Sequence, residues 1–430
     1  MCGIAGIFNY ADPERPVDRA LLERMTRSVA HRGPDGEGFH VEGPIGLGHR
    51  RLSIVDLSPT GAQPMADASG RKWITYNGEF YNHAEFRPAL SQRHFFRGPC
   101  DTETLLYLLA DQGPDALAKT SAIFGLAYWD ADRRELVLAR DPLGVKQVYF
   151  YDDGRRLLFA SEIKALLQCA DVPRELDPEA LNQYLHFHTP LFERTFFKGI
   201  RQLRPGEYAR FSARGAQHKT YWRVEQFTPR ETSDSLAVSD LREALGNVVR
   251  DQLMSDVPVG AFFSGGIDST AVASFAKKAG MAPRLFGVHF TGQGVIDERP
   301  FQELAAKSLG LELELTTLDG KSFPEDLQQL LFFQDQPVIG AALLPMFAVS
   351  KLAASQVKVC LGGQAADEIF GGCARYALGN PTRVLTRWIG GKLRRHGGSA
   401  GMAAGGAVGG NLWRQLADRK TLRRLQHNLR

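Results

Sequence analysis

Cysteine is scarce in this 430-residue sequence. The five that occur, Cys2, Cys100, Cys169, Cys360 and Cys373, are odd in number and form no C-x-x-C pair. Neither a disulfide framework nor a zinc ribbon is therefore indicated, and a reducing, cytoplasmic compartment fits. Long hydrophobic runs are missing as well: no stretch of about 18 or more apolar residues occurs. The opening MCGIAGIFNYADPERP has no charged segment followed by a sustained apolar one. A soluble, non-exported chain that does not enter a membrane is the expectation. No internal repeat is visible. The absence of a G-x-x-x-x-G-K-S/T loop argues against γ-phosphoryl transfer, and no G-x-G-x-x-G follows a strand, which disfavours a Rossmann oxidoreductase. Charge of one sign is also lacking, with 52 Lys and Arg against 48 Asp and Glu. The basic excess sits in residues 383–430, which hold 11 basic residues and the single acid Asp418, while the remainder carries 41 basic and 47 acidic residues. With only Trp388 and Trp413 interleaved, this tail reads as a solvated face rather than a nucleic-acid surface.

What is present is ordinary globular usage, 43% hydrophobic and 23% charged, in a chain long enough for two or three domains. The first half carries strand and hairpin signals. Ala122 to Trp129, Leu136 to Arg140, VKQVYFY and LLFAS are apolar runs separated by DADRR, DPLG and DDGRR, which reads as one antiparallel meander in which DPLG turns a hairpin. Leu21 to Val29 and Thr102 to Ala110 have helical spacing, so helices should cover such sheets in an α+β layered domain. A connector is expected near residue 225. Beyond it, Leu241, Leu245, Val248, Val249 and Leu253 mark a helix face. Strands at VPVGAFF, Leu285 to Phe290, Leu311 to Thr316 and Val357 to Leu361 then alternate with helices from Ser269, over Pro300 to Leu309 and over Pro345 to Ser355, a parallel α/β pattern. GGSAGMAAGGAVGG (397–410) is half glycine and reads as a linker.

Met1-Cys2-Gly3 is chemically suggestive, because Met before a small residue is normally removed. Cys2 would then carry a thiol and a free α-amino group, a nucleophile and a base on one residue. MCGIAGIF, HRGPDGEG, HRRLSIVDLS, YNGEFYN and CDTE, in that order, together resemble the class II glutamine amidotransferase, or N-terminal-nucleophile, domain. The likeness continues through RDPLGVKQVYF, ASEIKALL and PGEY (205–208). It implies that Cys2 attacks the glutamine side-chain amide and that Asn77 and the Gly78 N–H receive the oxyanion. By the same resemblance Arg51, rather than Arg50, binds the substrate carboxylate, and Glu79 and Asp101 hold its ammonium end. Arg32 and Asp35 read as loop-ordering residues. Asn77-Gly78 would also turn a hairpin, which is compatible with aiming donors inward.

Ser264-Gly265-Gly266-Ile267-Asp268-Ser269 follows a buried strand and opens a helix, where backbone N–H groups can cradle phosphate. SDVPVGAFFSGGIDST, LFGVHF and LGGQAADEIFGG resemble the N-type ATP pyrophosphatase domain of glutamine-dependent asparagine synthetases. The whole is identified as similar to that family over residues 1 to about 376. It implies an αββα sandwich over 2–210, a connector at 211–238, a parallel α/β ATP pyrophosphatase domain over 239–382 that is shortened C-terminally, and a basic tail over 383–430. It also implies ATP and Mg²⁺ as cofactors. Phe262, Ser264, Gly265, Gly266, Asp268, Ser269, Val288, Gly362 and Gly363 would contact ATP, and Asp268 and Asp367 would organise the metal. The implied partners are small molecules, namely glutamine, ATP, and aspartate or another carboxylate; a homodimer is left open.

Two departures bear on the acceptor. Gln364 stands where the family's synthetases carry a glutamate linked to forming the acyl adenylate, and a neutral amide hydrogen-bonds without serving as a base. Family members also commonly continue much further, supplying a further helical part. Aspartate amidation leads; a sugar acid or natural-product carboxylate is the alternative acceptor, and a glutaminase or nucleotide sensor without synthesis is the alternative of another class. His186 and His188 lack metal-spaced partners and read as packing or interface residues.

Overall fold

The structure is a computed structural model that describes residues 1–291, 297–319, 323–338, 340 and 342–372. The expected basic tail, its Gly/Ala-rich stretch and Cys373 lie outside the described residues. Residues 1–363 belong to one compact unit, and residues 364–372 to a second.

The amino-terminal part is built from strands β1 (Gly3–Phe8), β2 (Gly36–Glu42), β3 (Ile45–Arg51), β4 (Met65–Ala66), β5 (Lys72–Phe80) and β6 (Ala122–Asp130). These are followed by β7 (Glu135–Arg140), β8 (Tyr149–Asp152), β9 (Leu157–Ala160), β10 (Ile200–Gln202), β11 (Glu207–Ser212) and β12 (Gly215–Thr220). Its helices are α1 (Arg19–Ser28), α2 (His83–Leu90), α3 (Asp101–Gln112), α4 (Ile163–Leu166) and α5 (Pro178–Phe187). Two antiparallel sheets result, in orders β10-β8-β9-β1-β3-β2 and β12-β11-β7-β6-β5-β4.

The period-two alternation of β6 shows why the sheets stack between helices. Phe124, Leu126 and Tyr128 pack outward with Leu105, Leu106 and Leu109 of α3, whereas Ala127 and Trp129 pack inward with Ile4, Leu47 and Phe159 of the facing sheet. A third cluster seats α1 and α4 on the outer face of the first sheet. The order of layers is thus helix, sheet, sheet, helix.

The expected single meander is corrected by the pairing. β6 pairs with β7 and β8 with β9, but the two hairpins belong to different sheets. DPLG is not a hairpin turn, because the Asp141 carboxylate gathers the backbone N–H groups of Leu143 (3.1 Å), Val145 (3.0 Å) and Lys146 (2.9 Å). That Asx-type loop carries the chain from one sheet to the other. His186 and His188 are exposed at the end of α5, where His186 Nδ1 meets the Asn182 carbonyl at 2.8 Å, so neither sits in the core of the described residues.

The stretch 211–238 is structured at both ends, containing β12 and the start of α6 (Asp234–Gln252). Then follow β13 (Val259–Phe262), α7 (Ile267–Lys278), β14 (Arg284–Phe290), α8 (Arg299–Leu309), β15 (Leu313–Leu318), α9 (Phe323–Gln334), α10 (Leu343–Ala354) and β16 (Val359–Leu361). All pairs are parallel, in the order β15-β14-β13-β16. Strand order reverses between β13 and its neighbours, so the loops leaving β13 and β16 meet at a topological switch point, where open parallel sheets bind ligands. Helix α9 has no counterpart in the sequence-based expectation. The second unit contributes α11 (Ala366–Phe370). Among the described residues, no helix is long and apolar enough to cross a membrane.

Candidate active site

Gly3 opens β1 opposite Arg50, which leaves Cys2 one residue beyond the strand. The Leu52 N–H reaches Cys2 Sγ at 3.4 Å, and Arg32 Nε donates to the Cys2 carbonyl at 2.9 Å. Burial raises the thiol's pKa, and the Leu52 N–H opposes that shift. Met1 as a residue stays exposed, yet burial of its terminal nitrogen pushes the ammonium down to about 5.

Asn77, Gly78 and Glu79 sit consecutively on β5, opposite Gly125, Phe124 and Ile123 of β6. Asn77 is 1% exposed and its Nδ2 has no hydrogen-bond partner among the described residues. A buried donor without an acceptor is costly and calls for an explanation. A Cβ on Gly78 would lie 2.3 Å from the Ile123 carbonyl oxygen, so the strand pair is tight enough here to admit glycine alone. Asp101 starts α3 and accepts from the Phe80 N–H at 2.9 Å and the Thr102 N–H at 2.7 Å. Burial, then Asp101, pushes the Glu79 carboxyl up to about 9, and burial raises Asp101 as well. Arg51 donates to the backbone carbonyls of Asp56 and, at 3.0 Å, Ser58. Its guanidinium is thus turned into the 52–58 loop.

A cavity of about 460 Å³ begins at this site. Of the residues singled out from the sequence, Cys2, Asn77, Gly78, Glu79, Phe262 and Gly362 line it; Arg51, Asp101, Ser264, Gly265, Gly266, Asp268, Ser269, Val288 and Gly363 do not. One hollow therefore has the Cys2 group in its wall at one place and the ends of β13 and β16 at another. Lys146 also lines it, although the sequence analysis does not single it out. Burial lowers its pKa, and its Nζ lies 3.1 Å from Met1 Sδ. The one available signal is its place in RDPLGVKQVYF. Two further contacts fix the 52–58 loop against the parallel half. Asp256 donates its N–H to the Ile54 carbonyl (2.9 Å) and accepts from the Asp56 N–H (2.7 Å). Asp35 joins the Ser53 N–H (2.8 Å) to Lys358 Nζ (2.6 Å).

At the switch point, Ser264 Oγ and Ser269 Oγ are 3.1 Å apart and the Gly266 N–H reaches Ser264 Oγ at 3.3 Å. Gly265 adopts φ +73°, and a Cβ there would lie 2.7 Å from the Gln302 nitrogen. Gly363 presses on the same loop, since its Cβ would lie 3.0 Å from Asp268 Cβ and 3.1 Å from the Ser269 nitrogen. Thr270 Oγ1 is buried with no partner among the described residues. Glycines at the close approaches and the first-turn backbone N–H groups at the start of α7 fit a bound polyphosphate. Phe262 and Val288 pack around Phe286, Val349 and Ala353. Gln364 and Asp367 belong to the second unit, where the Asp367 backbone carbonyl accepts from the Gly372 N–H at 2.8 Å. Among the described residues, no group of three or more His, Cys, Asp or Glu is placed to hold a metal by itself. A divalent ion would need phosphate oxygens beside Asp268, which Mg²⁺ favours.

Comparison with known proteins agrees with this division. The glutamine amidotransferase domain family matches residues 1–222, and the asparagine synthase family matches residues 240–429. The glutamine-hydrolysing asparagine synthetase 1 of Bacillus subtilis is 34% identical over 375 residues, covering 86% of this chain and 59% of that protein. The amidase chry2 of Gibberella zeae is 30% identical over 403 residues, with coverages of 86% and 59%. The amidase chyE of Penicillium rubens is 32% identical over 404 residues, with the same coverages. The chain thus spans somewhat under two thirds of the length of these relatives. It belongs to the glutamine amidotransferase domain family over residues 1–222, and the match to the asparagine synthase family follows over residues 240–429.

Proposed function

We propose that this chain hydrolyses glutamine at Cys2 and uses the ammonia to amidate an ATP-activated carboxylate, with 2–210 as the glutaminase domain and 239–382 as the synthetase domain. The observation that carries this reading is the shared cavity with Cys2, Asn77 and Glu79 in its wall together with Phe262 and Gly362. After loss of Met1, the Cys2 amine takes the thiol proton as Sγ attacks the amide carbon. Asn77 Nδ2 and the Gly78 N–H donate to the resulting oxyanion. Collapse returns the proton to the leaving nitrogen, releases ammonia and leaves a thioester that water converts to glutamate. Arg51 would exchange the Asp56 and Ser58 carbonyls for the substrate carboxylate, and Glu79 with Asp101 would hold its ammonium. Ser264, Gly265, Gly266 and Ser269 would hold the ATP phosphates, Phe262, Val288, Gly362 and Gly363 would contact the rest of the nucleotide, and Asp268 would take Mg²⁺ beside those phosphates, a role the family resemblance also implies for Asp367.

Aspartate is the first acceptor to test. Protein freed of Met1 is given glutamine labelled with ¹⁵N in its amide, excess unlabelled ammonium, aspartate, ATP and Mg²⁺. Asparagine carrying ¹⁵N above the solution ratio, formed with AMP, is expected; glutamate release with neither product rejects synthesis from aspartate. A second reading keeps the chemistry and changes the acceptor to a sugar acid or natural-product carboxylate. It is favoured by Gln364, a neutral amide where the family's aspartate-activating members carry a glutamate, and by relatives described as amidases. A panel of such carboxylates, read by AMP formation, separates the two.

The phosphate loop yields its own expectation. Gly265→Ala places a methyl group against backbone at 2.7 Å and forces a φ of +73° on alanine, so the loop must move. Strain of this kind corresponds to roughly tenfold or more weaker ATP binding by calorimetry. Glutamate release should be unaffected, and an unchanged ATP affinity would remove this loop from the nucleotide site.

A further inference from the structure

A chain of buried charge runs from the backbone of Cys2 to the end of α9. Arg32, whose Nε holds the Cys2 carbonyl at 2.9 Å, donates through Nη1 to Glu162 Oε1 at 2.8 Å. His31 Nε2 meets the same oxygen at 2.9 Å. The second oxygen of Glu162 pairs with Lys164 Nζ. Lys164 in turn pairs with Asp335, Nζ to Oδ1 at 2.9 Å, and donates its backbone N–H to Oδ2 at 3.2 Å. The side chains of Arg32, Glu162, Lys164 and Asp335 are 12%, 10%, 13% and 9% exposed, so water screens none of these pairs well. Burial alone would raise the Glu162 carboxyl; His31, Arg32 and Lys164 overcome it and hold the group down to about 2.

Asp335 is the member contributed by the parallel half. It follows α9 with φ +60°, a conformation that a residue other than glycine keeps only where its surroundings hold it. The next residue, Gln336, accepts from the Phe196 N–H at 3.3 Å, so both residues after α9 dock on the amidotransferase sandwich. Phe333 lies 5.0 Å from the His31 ring and 6.1 Å from Phe347 of α10. Helix α10 supplies Ser350, Ala353 and Ala354 to the cavity wall.

We propose that Asp335 is a positioning residue for glutamine hydrolysis, acting through Lys164, Glu162 and Arg32 to fix the Cys2 carbonyl and thereby the thiol, so that the synthetase half sets the efficiency of the glutaminase half. The charges alternate along this path, so losing the last one redistributes the others. Without Asp335, Lys164 loses the contact that fixes its ammonium against Glu162, Glu162 is held less firmly, and Arg32 loosens its hold on Cys2. The inference rests on the proposed role of Cys2 as nucleophile.

The test compares Asp335→Asn, Asp335→Glu, Lys164→Met and the double variant Lys164→Met/Asp335→Asn. Asp335→Asn should lower kcat for glutamate release about five- to tenfold, the range typical of coupling through a network. KM for glutamine should hold within about twofold, because Glu79, Asp101 and Arg51 are untouched. Asp335→Glu should restore most of kcat. Lys164→Met should match Asp335→Asn, and the double variant should fall no further, since both cut one path. Multiplying effects in the double variant, or an unchanged kcat in both singles, would overturn the proposal. A second readout needs no turnover: the rate at which 6-diazo-5-oxo-L-norleucine, a glutamine-shaped electrophile, labels Cys2, followed by mass. It should fall by the same factor in Asp335→Asn, and equal labelling in the wild-type and variant proteins would equally sink the idea. Wild-type protein that takes the label but releases no glutamate defeats the functional reading alone, and the labelling ratio still decides this one.

Discussion

Asn77→Ala is expected to lower kcat for glutamine hydrolysis by about 10²- to 10³-fold, the cost of removing one oxyanion donor from a preorganised site. Asn77 lines the cavity that Cys2 also lines, and its Nδ2 is buried with no acceptor among the described residues. A donor left in that condition costs about 1–3 kcal/mol of stability, a cost that becomes useful once a negative oxygen forms beside it. The alanine variant loses some packing but also loses the unpaired donor, so its unfolding midpoint should move by no more than a few degrees. Amide formation from ammonium salts should persist, because that route bypasses Cys2. Glutamate release and thermal unfolding measured on the same preparation test both sides. A fall of less than about fivefold would mean that the Gly78 N–H carries the oxyanion alone.

Local signals were legible and their assembly was not. Asn77, Gly78 and Glu79 are contiguous, and one strand brings them to one wall, so reading YNGEFYN as a unit anticipates their company. Asp101 joins them through a hydrogen bond to Phe80, one residue from Glu79. The parallel half is legible because buried strands and helical spacings alternate there and each strand pairs through a crossover. The meander fails for a physical reason: β6 to β9 are apolar on both faces, so periodicity cannot say which sheet takes them, and the deciding Asp141 contacts are a side-chain event within a turn. Helix α9 keeps only Leu330 buried, so it has little stripe to find. The path from Arg32 to Asp335 joins residues more than a hundred positions apart, and no spacing rule links them.

The affinity for glutamine should rise steeply with pH through neutrality, by about tenfold per unit between pH about 6 and about 8, since each unit below a carboxyl's pKa costs about 1.4 kcal/mol to ionise it. In the empty site, burial and Asp101 hold Glu79 near 9, so it carries a proton at pH 7. Lys146 and the terminal amine oppose that shift without cancelling it. The α-ammonium of glutamine supplies the positive charge the carboxylate pair lacks, so Glu79 ionises and its proton leaves. The free site then binds more protons than the occupied one, and by linkage binding strengthens as pH rises, levelling off towards pH 9. Calorimetry on Cys2→Ala protein, in two buffers of different ionisation enthalpy, should report about one proton released per glutamine bound. Glu79→Gln should abolish that release and flatten the profile, and an equal proton count in the two proteins would assign the titration elsewhere. A retained proton is also what lets Glu79 sit within electrostatic reach of the buried Asp101 carboxylate in the empty site. Glu79 stays neutral until a cation arrives, so the pocket accepts a ligand bearing an ammonium group and rejects the same ligand without it.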